Sequence, residues 1–152
     1  MAHRRTEWLW ASFCGYTREG KRLGVNLSRR IYDSAEGVSM ENAIWLDGKM
    51  IALDQSVVEF ELPSETDPVM MRSKEWNIRT STLTSTGPDP ILDLRFQPKG
   101  SRDENVHVLS LVISEFVQPF GLFHGTIRLP NSDETLHLDG ILGVVEHHLS
   151  VW

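Results

Sequence analysis

The sequence predicts an all-β fold, an antiparallel barrel of roughly nine or ten short strands. Apolar and polar residues alternate in segment after segment, as where Leu92, Leu94 and Phe96 oppose Asp93 and Arg95. Turn-forming pairs separate these segments, Asp47-Gly48 the clearest, because both residues tolerate a positive φ. No stretch carries the pattern of a long helix. A barrel is favoured over a sandwich because closure removes the edges that so many apolar strands would expose.

Taken in order, the chain opens with Glu7 to Tyr16, apolar on both faces of a strand: Trp8, Trp10 and Cys14 on one, Leu9, Ala11 and Phe13 on the other. Such a strand is covered on both sides, by a barrel interior and by something outside it. Arg18 to Lys21 is a polar turn, and Leu23, Val25 and Leu27 point inward from the next strand. Arg29 to Ser39 reads as a loop. A hairpin about Asp47-Gly48 joins Glu41–Leu46 to Met50–Leu53, and Val58, Phe60 and Leu62 alternate with Glu59 and Glu61. Pro63 to Ser73 is a loop with one helical turn at Val69-Met70-Met71. Short strands at Trp76 to Arg79 and at Leu83 precede a break at Gly87-Pro88-Asp89-Pro90. Pro98 to Glu104 is expected to form a turn.

The longest apolar run, Val106 to Val117, is rich in Val, Ile and Leu and reads as one strand. Pro119-Phe120-Gly121 follows it as a sharp corner, since proline cannot donate to a ladder and glycine tolerates a bend. Phe123, Gly125, Ile127 and Leu129 then alternate with His124, Thr126 and Arg128 in a returning strand. Asn131-Ser132-Asp133 turns the chain, Leu136 and Leu138 alternate with His137 and Asp139, and a last strand runs from Gly143 to Trp152.

A length of 152 residues suits one domain over 1–152, able to bury roughly 70% of its unfolded surface. The net charge of −6 argues against nucleic acid, which needs a basic patch; His3-Arg4-Arg5 is too short to supply one. One cysteine, Cys14, precludes an internal disulfide and suits a reducing compartment, so the cytoplasm is expected. Its apolar strand suggests a buried, inert thiol. No apolar run reaches the length of about 20 residues that spans a membrane. Trp8-Leu9-Trp10 is too short an apolar core for a signal peptide.

Chemistry is sparsely signalled. There is no nucleophile elbow, phosphate loop or zinc-binding helix motif, and no cofactor is expected. Glu146-His147-His148 is the one histidine cluster. Adjacent strand residues point to opposite faces, so His147 and His148 do not share a metal, whereas Glu146 and His148 share a face. No metal site is expected. Glu41, heading an apolar strand, is a candidate general acid alongside Glu146 and His148. Asn42 and Trp45 beside it, and Gln118, Phe120, Phe123 and His124 about the Pro119 corner, are candidate ligand-binding residues.

Three groups of residues carry a resemblance: Glu41-Asn42-Ala43-x-Trp45-x-Asp47-Gly48, Gln118-x-Phe120-Gly121-x-Phe123-x-Gly125, and Gly143-x-x-Glu146-x-His148 ending at Trp152. With Trp10-Ala11-Ser12, Asn26-Leu27 and Phe96-x-Pro98, they resemble the C-terminal half of a bacterial family known as a domain of unknown function. That family is similar to the AttH and hydroxyneurosporene synthase (carotenoid hydratase) group. The resemblance implies a lipocalin-like (calycin) barrel of roughly eight to ten strands. It also implies that the family's N-terminal barrel is missing from this chain.

Two functions are therefore expected. The first is a lipocalin-like module binding an apolar or amphipathic small molecule of lipid or isoprenoid class. The second is an enzyme of the carotenoid hydratase type, with Glu41, Glu146 or His148 donating a proton and Trp45 steadying a carbocation through its π face. A structural half of a larger assembly is a third possibility. Loss of a covering barrel would expose apolar surface on the terminal strands, so a homodimer is expected.

Overall fold

The computed structural model describes residues 4–82, 89–109, 112–130 and 132–152. Leu83, Gly87, Pro88, Asn131 and His3 lie outside them, so the readings placed on those residues go no further. Among the described residues, nine antiparallel strands form one continuous sheet. They are β1 (Arg5–Tyr16), β2 (Arg22–Arg29), β3 (Ala43–Leu46), β4 (Lys49–Ala52), β5 (Ser56–Glu61), β6 (Trp76–Thr82), β7 (Ile91–Val108), β8 (Val112–Arg128) and β9 (Thr135–Val151), with one short helix, α1 (Pro68–Ser73). The spatial order is β4-β3-β2-β1-β9-β8-β7-β6-β5, with the two terminal strands, β1 and β9, paired in the middle. The sheet curls into a lipocalin-like half-barrel, and β5 comes back against β2 across the open side. No helix among the described residues is long and apolar enough to cross a membrane.

Period-two alternation explains why the sheet curls around a core. Leu9, Ala11 and Phe13 of β1 face inward with Leu23, Val25 and Leu27 of β2 and Val145 of β9, all buried. Trp76, Phe96 and Phe123 fill the centre with no exposed surface, and Phe123 stacks on Phe13 with ring centres 4.2 Å apart. The interior of the curl is thus occupied by side chains. The helix α1 caps one end of this core. Asp67 caps its N-terminus, and the Trp76 indole donates to the Met71 carbonyl at 2.7 Å.

The Asp47-Gly48 hairpin forms as expected, with φ of 50° and 86°. Four expectations are overturned. The apolar run Val106 to Val117 is two strands: β7 ends at Val108 and β8 begins at Val112. Leu109 takes a left-handed φ of 47° in the turn, where no glycine or asparagine announced it. Pro98 to Glu104 is likewise part of β7, which continues past a register shift at Pro98/Gly100. Third, Pro119-Phe120-Gly121 makes no corner, because β8 runs straight through it. Gly121 serves close packing instead, since an added Cβ would collide with the Gln97 carbonyl. Cys14 is exposed rather than buried, because it lies on the outer face of β1.

Candidate functional site

Two polar groupings lie back to back across β1 and β9. The first is at the rim of the half-barrel, on the inner side. His147 sits opposite Leu9 in the β1–β9 register, so its ring points where the core residues point, and it is buried. Its Nε2 lies 2.9 Å from Glu7 Oε1. Arg30 donates to the same oxygen at 2.6 Å and grips both oxygens of Glu65 at 2.9 and 3.0 Å. Such a two-pronged contact is the strong form of an ion pair.

Charge settles how this cluster titrates. Burial pushes the Glu7 carboxyl up, but His147, Arg5 and Arg30 outweigh it and hold it below its ordinary value. The hydrogen bond from Arg30 does the same for Glu65, and the two carboxylates raise Arg30 in turn. Donor atoms of Glu7, Glu65 and His147 all lie within 4.8 Å of one another. Arg30 already supplies the positive charge there, so a metal would have to displace a guanidinium. Beside the cluster opens a cavity of about 370 Å³. Its apolar floor is Pro68, Met71, Val117 and Leu149; its polar wall includes Glu7, Glu65 and His147.

The second region is on the outer face. Glu146 is 8% exposed and accepts from the Trp8 indole at 2.8 Å and from Gln118 Nε2 at 2.9 Å. No ion pair from lysine or arginine reaches it among the described residues. His148 packs against Trp8 with ring centres 4.1 Å apart, and its Nε2 lies 3.0 Å from Ser114 Oγ and 3.1 Å from Ser150 Oγ. Burial lowers its pKa against the pull of Glu146, which favours a neutral ring. Next to Trp8, a groove of about 200 Å³ is lined by Trp10, Ser28, Ile31, Tyr32 and Glu41.

The sequence candidates divide accordingly. Glu146, His148 and Gln118 meet on the outer face, and Glu41 stands exposed at the edge of the neighbouring groove. Phe123 is core. Asn42 is buried, its Oδ1 accepting from the Ser28 amide at 2.7 Å, while its Nδ2 has no partner among the described residues. Trp45 is outward-facing on β3, with β2, β1 and β9 between it and β8. Phe120 lies exposed over Gly100, and His124 is half-buried near Asp139. These ligand-binding candidates are not brought together. Glu7, Arg30 and Glu65 were not singled out from sequence, and His147 was named only within the histidine cluster, on the face opposite His148.

The fold and its rim cavity define the class of protein: a lipocalin-like β module. Within that class, the chain belongs to the family of the domain of unknown function DUF2804, which it matches over residues 1–152. No curated protein matches the sequence. Among solved structures, the chain is similar to a protein from Nitrosomonas europaea provisionally described as an AttH, at 13% identity and a TM-score of 0.45. That similarity covers 97% of this chain and 51% of the other, so the chain spans about half the length of that protein.

Proposed function

We propose that residues 1–152 act as one binding module for an apolar or amphipathic small molecule of lipid or isoprenoid class, working in the cytoplasm. The ligand enters the rim cavity rather than the centre of the curl. The observation that carries this reading is the pairing of an apolar floor with a hydrogen-bonding wall in a space of about 370 Å³. Small-molecule sites of roughly 300 to 1,000 Å³ have this make-up. The tail would lie over Pro68, Met71 and Leu149, and a hydroxyl or other polar end would meet Glu7 and His147. The hydratase reading is less well supported, because Glu41, Glu146 and His148 do not line this cavity and both Glu146 oxygens already accept hydrogen bonds.

Trp76 reports on the site through its bond to Met71. Titration with fatty alcohols, fatty acids and isoprenols should give a saturable change in its emission with at least one class. Leu149→Trp, which fills the cavity, should abolish it. A flat response across the panel would remove the binding reading. We also propose that the chain self-associates, since Phe120 and Leu142 on adjacent strands of the outer face are 46% and 65% exposed. Light scattering at micromolar concentration should then return twice 17.3 kDa, and a clean monomer would contradict it.

A further inference from the structure

We propose that the outer-face groove beside Trp8 is a cage for a quaternary or methylated ammonium group. Such groups are recognised by several aromatic rings around a small opening, with a carboxylate nearby. All of these elements are present. Trp8, Trp10 and Tyr32 line a groove of about 200 Å³, and Glu41 stands at its edge. Glu41 makes no ion pair among the described residues, so its charge is available to a ligand.

The cage is built rather than incidental. Both indole N–H groups are tied down away from the opening: Trp8 donates to Glu146 Oε1 at 2.8 Å and Trp10 to Asn26 Oδ1 at 2.8 Å. Asn26 in turn donates to the Glu41 backbone carbonyl at 3.0 Å, fixing the acid-bearing segment relative to the Trp10 ring. Rings held in this way lose little freedom on binding. Tyr32 comes from a loop in which Arg30 and Tyr32 take left-handed φ values of 73° and 56°, costly for residues with side chains. The loop is held by the Arg30 backbone N–H, which donates to Asp33 Oδ2 at 3.0 Å, and the result is a tyrosine 68% exposed beside the groove. Behind Trp8, the Glu146 carboxylate is hydrogen-bonded by two neutral donors, which leaves its negative charge uncancelled near the rings.

A neutral apolar ligand gains nothing from these charges, so the decisive comparison is between choline and its uncharged isostere 3,3-dimethylbutanol, each titrated by calorimetry into the full chain. Choline should bind saturably and the isostere about tenfold more weakly. Tyr32→Ala should weaken choline binding about tenfold, and Glu41→Gln by roughly threefold. Both residues are exposed, so neither variant threatens the fold. Vesicles of phosphatidylcholine form a second arm. Competition between vesicles and choline identifies a lipid headgroup as the source of the ammonium, and binding of choline alone identifies a free small molecule. Equal affinity for choline and the isostere, unchanged binding by Tyr32→Ala, or no saturable binding in either arm would overturn the proposal.

Discussion

The rim cavity and the outer groove are separated by the thickness of one sheet, yet they hold their polar groups by different means. At the rim, charges satisfy one another: Arg30 bridges Glu7 and Glu65, and His147 completes the network. On the outer face the carboxylate of Glu146 is held by neutral donors and lies against aromatic rings. Two short segments supply both regions. Glu146, His147 and His148 alternate across β9, and the strained loop sends Arg30 to the rim and Tyr32 to the groove. The lesson is that period-two geometry lets three consecutive residues build unlike environments.

The largest effect should fall on both regions alike. Phe123→Ala removes a fully buried ring from the shared core and should cost about 3–5 kcal/mol in urea unfolding, with loss of binding at either site. A mutant that unfolds one region and spares the other would break the picture of a common core. Glu146→Leu acts on the outer face alone. It strands the Trp8 and Gln118 donors and should cost about 2 kcal/mol while leaving rim binding intact.

Arg30→Ala is the rim counterpart. Its guanidinium is partly exposed, so after solvent screening the loss should be only about 1 kcal/mol. Glu7 and Glu65 would then titrate nearer their ordinary value, which NMR of the side-chain carboxyls would record. Acid should separate the regions by smaller steps. His148 has a lowered pKa when folded, so its contribution to stability is complete well above 6.5 and declines as pH falls through 6.5 toward the folded value. Glu7 and Glu65 are also lowered, but their stabilisation is full above 4.5 and is lost only as pH falls below that toward their folded values. His148→Phe should erase the first step and keep the second.

Much of the sheet was legible because its signals are local. The Asp47-Gly48 turn and the inward alternation of Leu9, Ala11 and Phe13 each rest on a few adjacent residues, whereas the outer face of β1, expected to be covered, leaves Cys14 and Tyr16 exposed. The turn between β7 and β8 was not, since Leu109 adopts a left-handed conformation with no glycine or asparagine beside it, and Ser110 alone interrupts the local apolar run. The outer face was half legible: Glu146 and His148 sharing a side follows from alternation, but Trp8 and Gln118 as their partners follow only from strand register. The rim was the least legible. Its four charged or titratable groups come from β1, the loop after β2, the segment before α1, and β9, and nothing in the spacing of positions 7, 30, 65 and 147 brings them together.

Methyl-labelled NMR tests most directly whether the rim cavity is the ligand site. With the methyl groups of Met, Ile, Leu and Val labelled, decanol or geraniol would be titrated into the full chain. Shifts should saturate together at Met71, Val117 and Leu149, while Leu142 and Val144 on the outer face stay still. Saturable shifts confined to the outer face, or none at the three rim residues, would contradict it.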